Sequence, residues 1–229
     1  MKKILVLGLG RFGHRLVERL AERDGVRLFA LDRNARLVDS VGELVHTAAS
    51  SNLGDPRALG AFLEQIGGVD VAVVGLGDAA HVTTMTALRL REAGVPQIVI
   101  KAEDLEHKLV LEAIDKGFPG AAAFDVVIPE LDAAEALALR IASRHIEKEL
   151  SLGDGIRIAE LRCPDRLTEA SLAELEVRKR YRLTVLAWHA VGAPLELAGP
   201  ETVLPEGCLI TVLGAEEDVI ALEREIERR

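Results

Sequence analysis

The sequence predicts an α/β chain, with a doubly wound parallel sheet first and a smaller α+β module after it. Three observations carry this. An apolar run, Ile4 to Leu7, breaks into Gly8-Leu9-Gly10-Arg11-Phe12-Gly13 and then into a helical pattern at Leu16, Val17 and Leu20. Strand-like and helix-like segments then alternate through the first 130 residues with short connections. Apolar residues make up 49% of the 229-residue chain but aromatics only 3%, a composition of Val, Leu, Ile and Ala that suits helices packed on a sheet.

In order, strands are expected at 3–8, 26–32, 44–48, 70–75, 97–101 and 125–128, with helices near 11–23, 34–41, 55–66, 80–93 and 106–116. Asp55-Pro56 reads as a helix start, with Asp as N-cap and Pro in the first turn. Gly67-Gly68 and Gly94 read as helix ends. Six strands fit one Rossmann-type sheet whose ligand crevice lies at the carboxyl ends of the first and fourth strands. Residues 130–150 carry a long amphipathic helical pattern with apolar Leu137, Ile141 and Ile146, leading to a linker at Ser151 to Gly155. The tail gives strands at 156–161, 183–188 and 209–213 and a closing helix at 216–226. The expected division is therefore 1–130, a connecting helix and linker at 131–152, and 153–229.

The glycine triplet is a phosphate cradle in this arrangement. Gly8 makes the tight turn, Gly10 lets backbone approach a phosphate, and Gly13 lets the helix close on the strand with its N-terminus aimed at the anion. Asp32 ends the next apolar run about 20 residues on, where a ribose hydroxyl is met. Five loops converge on the same edge: Gly8–Gly13, Asp32-Arg33, Ser50-Ser51-Asn52, Gly75-Leu76-Gly77-Asp78 and Lys101-Ala102-Glu103. Gly77 permits close approach, and Lys101 offers a point charge to a phosphate or carboxylate or is a solvated strand end. A cation at a helix start, as at Arg11, opposes the helix dipole, so Arg11 reads either as an anion contact or as one partner of a carboxylate such as Glu130.

The net charge of −9, with no basic cluster to interrupt it, argues against nucleic acid as partner. Lys2-Lys3 before an apolar run superficially suggests a signal peptide, but the run is too short, no cleavage site follows and no apolar stretch is long enough to span a membrane, so a cytoplasmic location is expected. Cys163 and Cys208 are isolated and read as small core or turn residues. His107 reads as a surface or interface residue. No G-x-S-x-G, Walker A or H-E-x-x-H motif is present.

Several motifs resemble one family. Gly8 to Gly13, Asp32-Arg33, Val95-Pro96 leading into Lys101-Ala102, His107 to Leu111 and Ile128-Pro129-Glu130 are similar to the N-terminal RCK (regulator of potassium conductance, TrkA-N) domain. Ser171 to Leu175, Arg182 to Ala187, Pro200 to Leu204 and Leu209 to Gly214 resemble the small RCK-C (TrkA-C) domain. A single N-plus-C layout resembles the cytosolic subunit of Ktr-type potassium uptake systems.

The resemblance implies a non-enzymatic gating subunit, a homodimer assembling into an octameric ring beneath a membrane potassium-translocating subunit. ATP or ADP, or else NAD or NADH, would occupy the crevice. It implies that Gly8, Gly10, Arg11, Phe12, Gly13, Asp32, Arg33, Lys101 and Glu130 bind the nucleotide, with Arg11 near the terminal phosphates; the converging loops add Ser51, Asn52 and Gly77. Glu130 would help hold a divalent cation or Na+ as the metal ligand, unless it is simply a helix N-terminal charge. Cyclic di-AMP is known at the small domain in the family, although no motif in this tail specifies it. Ser50-Ser51-Asn52-Leu53 replaces the usual Gly/Ala-Asp/Asn-Ala-Thr run beside the adenine, the stretch Gly117 to Asp125 is expanded, and Gly207-Cys208 replaces a Gly-Asp turn. The competing class is an NAD-dependent oxidoreductase or other Rossmann enzyme. Against it stand the small second domain and the lack of a recognisable proton donor.

Overall fold

Alternate residues of the first strand face opposite ways into two cores. In the computed structural model, which describes residues 1–77, 80–117, 123–142, 145–153 and 155–227, Leu5 and Leu7 of β1 (Lys2–Leu7) pack into one apolar cluster and Ile4 and Val6 into another. The first cluster gathers Leu59, Phe62 and Leu63 from α3 (Pro56–Ile66), Ala87 and Leu90 from α4 (Ala80–Glu92) and Leu111 from α5 (Leu105–Lys116). The second is closed by Val17 of α1 (Arg11–Ala21) and Val38 of α2 (Ala35–Ser40). A strand covered on both faces reads as a continuous apolar run, as β1 does. Each fully buried Leu contributes roughly 1.5–3 kcal/mol.

The remaining strands are β2 (Val26–Asp32), β3 (Thr47–Ser50), β4 (Val71–Val74), β5 (Gln97–Lys101) and β6 (Phe124–Val127). They pair in parallel in the order β3-β2-β1-β4-β5-β6, the doubly wound arrangement the sequence predicts. The order reverses between β1 and β4, which opens the crevice there. Asp55 caps α3 as expected, its side chain accepting from Arg57 N–H at 2.9 Å. Two details differ. The third strand lies at Thr47–Ser50 rather than 44–48, because the apolar pair Leu44-Val45 belongs to the preceding turn and the edge strand itself reads Thr-Ala-Ala-Ser. His107 is buried rather than exposed: Nδ1 accepts from Glu103 N–H at 3.2 Å, leaving Nε2 as donor to Thr84 Oγ1 at 3.1 Å.

Contacts divide the chain into Met1–Glu130 and Leu131–Arg229. In the second unit, α6 (Pro129–Ala142), which begins at the boundary, stops well short of the expected 150. Residues Ile146–Gly153, expected as helix and linker, form β7, the edge of an antiparallel sheet. That sheet runs β10-β9-β11-β8-β7, with β8 (Ile156–Arg162), β9 (Thr184–His189), β10 (Glu196–Leu197) and β11 (Leu209–Ala215). The reason is tertiary. β7 pairs with β8 through Ile146↔Leu161 and Leu150↔Ile158, bonds that no local helical period can reveal.

α7 (Val177–Tyr181) and α8 (Glu216–Glu227) complete this unit; Val177, Val219 and Leu222 join its core with Ala159, Leu161, Ile210 and Val212. Cys163 and Cys208 meet where β8 and β11 pair, Cys163 N–H donating to the Cys208 carbonyl at 2.8 Å. Both thiols are free and buried, and burial raises both pKa values. Asp78, residues 118–122 of the expanded stretch and Asp154 of the expected linker lie outside the described residues. Among the described residues no helix is long and apolar enough to cross a membrane.

Candidate functional site

A cavity of about 370 Å³ opens at the carboxyl ends of the first unit's strands, within the range of small-molecule sites. Gly8, Gly10, Asp32, Arg33, Ser51, Asn52 and Gly77 line it, as the sequence anticipates. The backbone explains the glycines. Gly8 has φ +92°, and a Cβ there would lie 2.7 Å from the Gly75 carbonyl oxygen. At Gly13 a Cβ would fall 1.9 Å from the Gly8 carbonyl oxygen, so α1 could not close on β1. Gly10 differs: among the described residues, apart from its own chain neighbours and helix backbone, none comes within 4 Å of a Cβ placed there, which leaves space open beside the turn.

Gly10 is also the N-cap of α1, with no side-chain cap and no acidic residue in the first turn. The leading amides therefore present an anion site of the kind helix N-termini provide. Asp32 fixes the loop. Its Oδ2 accepts from Leu9 N–H at 2.6 Å and its Oδ1 from Asn34 N–H at 2.7 Å, in a residue only 8% exposed. Each carboxylate oxygen retains a second acceptor position for a ribose hydroxyl. The residues present thus fit a nucleotide: Asp32 keeps free acceptor positions, and Gly10 stands at an uncapped helix N-terminus.

Other expected residues stand elsewhere. Phe12 packs in the core, and its ring would touch a Cβ placed on Gly75 at 3.4 Å, while Gly13 is buried beneath the turn. Arg11 is exposed at the start of α1 and borders a separate shallow depression with Gly10 and His14. Lys101, at the end of β5, and Glu130, in the first turn of α6, form an ion pair at 2.7 Å, their side chains 16% and 67% exposed. Lys101 is the main reason the Glu130 carboxyl sits below the ordinary range; the helix backbone adds to this, and Arg11 contributes through space. Glu130 is thus partnered by Lys101, with Arg11 acting only at a distance.

Among the described residues no three His, Cys, Asp or Glu side chains are grouped to hold a metal ion. Among the described residues Glu130 is the carboxylate beside Lys101, already engaged by it, so the described residues of one chain do not by themselves make a cation site.

The cavity also contains Leu53, the last residue of the Ser50–Leu53 run placed beside the adenine, and Asn34, Leu37, Gly54 and Val82, which sequence reasoning did not single out. Asn34 had a signal, because Asn just before a helical pattern is an N-cap, and its side chain accepts from Arg36 N–H at 3.1 Å. The partner of Leu53 had none: its carbonyl accepts from Arg89 Nη1 of α4 at 3.1 Å, a long-range contact.

The second unit has a cavity of its own, about 390 Å³, walled by Leu172, Val177, Leu183, Val185 and Pro200, with Arg178 and Lys179 also in its lining.

Residues 4–129 match the family model of the TrkA-N domain. The chain is 28% identical over 224 residues to Ktr system potassium uptake protein A of Bacillus subtilis (strain 168), covering 98% of this chain and 96% of that protein. It is 29% identical over 231 residues to Ktr system potassium uptake protein C of the same organism, covering 98% and 97%. Among solved structures it is similar to the GsuK RCK domain (18% identity, TM-score 0.61) and the GsuK channel (20%, 0.62). Each match covers 98% of this chain, but the chain spans only 47% and 39% of those two chains, and at these identities the likeness is one of fold.

Proposed function

We propose that this chain, which belongs to the TrkA-N domain family, is a nucleotide-sensing regulatory subunit of a potassium transport system rather than an enzyme. The observation that carries the reading is the crevice at β1 and β4, with an uncapped helix N-terminus, open space at Gly10 and a doubly anchored Asp32. Its ligand is ATP or ADP, with NAD or NADH as the alternative. End-to-end likeness to two Ktr uptake proteins supports potassium transport as the setting.

The ligand acts by binding one conformation of the assembly better than another. Homodimers build an octameric ring on the inner face of the membrane, against a potassium-translocating subunit, with no role for nucleic acid. Leu137 and Ile141 of α6, 45% and 75% exposed, supply apolar surface for such assembly. A divalent cation or Na+ at Glu130 draws its further oxygens from the nucleotide phosphates or a second copy. The second unit's cavity, apolar with Arg178 and Lys179 in its lining, suits cyclic di-AMP.

Calorimetric titration of ATP, ADP, NAD and NADH into the wild type and Gly10→Asp tests this. Binding by the wild type that the variant loses supports it. Failure of all four to bind the wild type, or turnover of NADH with a small carbonyl substrate, overturns it.

A further inference from the structure

One wall of the crevice is the loop between β3 and α3, where Ser51, Asn52, Leu53 and Gly54 all line the cavity. The loop is tied at its ends: Ser51 N–H donates to the Asp32 carbonyl at 2.8 Å, and Asp55 caps α3. Between those ends its own bonds are local. Gly54 N–H donates to Asn52 Oδ1 at 3.0 Å, and Asp55 N–H to the Asn52 carbonyl at 2.9 Å. Such bonds close a turn on itself and do not fix where the turn lies.

Two contacts of Leu53 do fix it. The residue is 5% exposed and joins the apolar cluster that holds Leu59 and Leu90. Its carbonyl accepts from Arg89 Nη1 at 3.1 Å, 36 residues further along the chain. Arg89 is half-buried on α4, about two turns beyond Val82, which itself lines the cavity. The i, i+7 spacing puts both on one face of the helix. That face of α4 therefore supplies one piece of the wall and the hydrogen bond that carries the neighbouring piece. A guanidinium suits the task, being always charged, planar and a stronger donor than a neutral group.

We propose that Arg89 is a positioning residue for the base end of the crevice: by holding the Leu53 carbonyl it sets Asn52 and Gly54 in the wall, and tight binding of adenosine-containing ligands depends on it. The inference rests on nucleotide binding as read above and names the residue behind the wall that controls it. Asp32 and the Gly8–Gly13 turn do not depend on the bond, so its loss falls on the base rather than on ribose or phosphate. The bond also links the base to α4. A ligand that needs the wall in place favours the arrangement in which Arg89 holds it, and by reciprocity a shift of α4 weakens that ligand.

The test is calorimetric titration of ADP and NAD, which share the adenosine end, into wild type, Arg89→Met and Arg89→Lys, with CDP measured by competition against ADP. Arg89→Met keeps an apolar stem and removes the donor; Arg89→Gln gives the same comparison if Arg89→Met does not fold. A loop that holds its lining position about a fifth of the time weakens ADP and NAD about fivefold, and CDP, whose single ring reaches less of the wall, by about twofold at most. Arg89→Lys, which keeps a cationic donor, is expected to bind ADP more tightly than Arg89→Met. Unchanged ADP binding by Arg89→Met overturns the proposal. So do equal losses for ADP and CDP, which mark a general loss of structure, and an Arg89→Lys as weak as Arg89→Met, which marks lost packing rather than a lost bond. A wild type that binds neither ADP nor NAD overturns nucleotide binding itself, a result distinct from these.

Discussion

Gly13 and Gly10 belong to the same motif but answer to different neighbours, and alanine at each separates them. At Gly13 the new Cβ lies 1.9 Å from the Gly8 carbonyl oxygen and 3.0 Å from its carbon. Both are backbone atoms of a turn that also hydrogen-bonds through Gly8 N–H to Leu31 O at 2.8 Å, so the turn cannot yield alone. Ordinary contact begins at 3.4 Å, and α1 must retreat by about 1.5 Å, loosening Val17 from Val6 and Leu9. The expected cost is about 3 kcal/mol, the upper part of the overpacking range, or a fall of roughly 10 °C in Tm.

At Gly10 the methyl meets none of the described residues within 4 Å beyond its own neighbours, and the loss is the smaller one of putting alanine at an N-cap, about 0.5–1 kcal/mol. Calorimetric melting, with hydrogen exchange read at the Leu5–Leu7 amides, is the assay. Gly10→Ala should instead weaken nucleotide binding. If Gly13→Ala melts no earlier than Gly10→Ala, the close-approach reasoning is wrong.

Two further outcomes are expected. Because Asp32 is buried with both oxygens on backbone amides, a 2′-phosphate meets a fixed negative charge, and NADP should bind at least tenfold more weakly than NAD in calorimetry; comparable affinities would remove Asp32 from the ribose end. In the second unit Glu174 accepts from Ser171 N–H at 2.9 Å and Oγ at 2.8 Å, and the Ser171 hydroxyl and then its amide hold the carboxyl below its ordinary range. A depressed carboxyl stabilises above its unfolded pKa and loses that contribution as pH falls through its folded one. Unfolding followed by Trp188 fluorescence should accordingly show a steeper acid-side loss of stability in the wild type than in Glu174→Gln.

Local chemistry was readable and long-range pairing was not. The turn from β1 to α1, Asp32 and the Asp55 cap are visible because φ, hydrogen-bond capacity and period act over a few residues. Thr47–Ser50 has no apolar period and is a strand only because β2 pairs with it. Ile146–Gly153 continued the apolar spacing of α6 closely enough to read as helix, and its strand state comes from β8. The meeting of Cys163 with Cys208 follows from antiparallel register alone. Lys101 and Glu130 were each identified as charges at the site, but their bond depends on β5 and the start of α6 lying side by side. The site's residue types were therefore legible, and their partners were not.

The central claim is that nucleotide in the β1–β4 crevice regulates potassium movement. Its most direct test is potassium flux into liposomes holding a Ktr-type membrane subunit together with this chain, measured with ATP, ADP or no nucleotide, for the wild type and Gly10→Asp. The account predicts a flux that changes with the nucleotide supplied and a variant that ignores it. Flux identical under all three conditions, in a wild type shown by calorimetry to bind nucleotide, would contradict it.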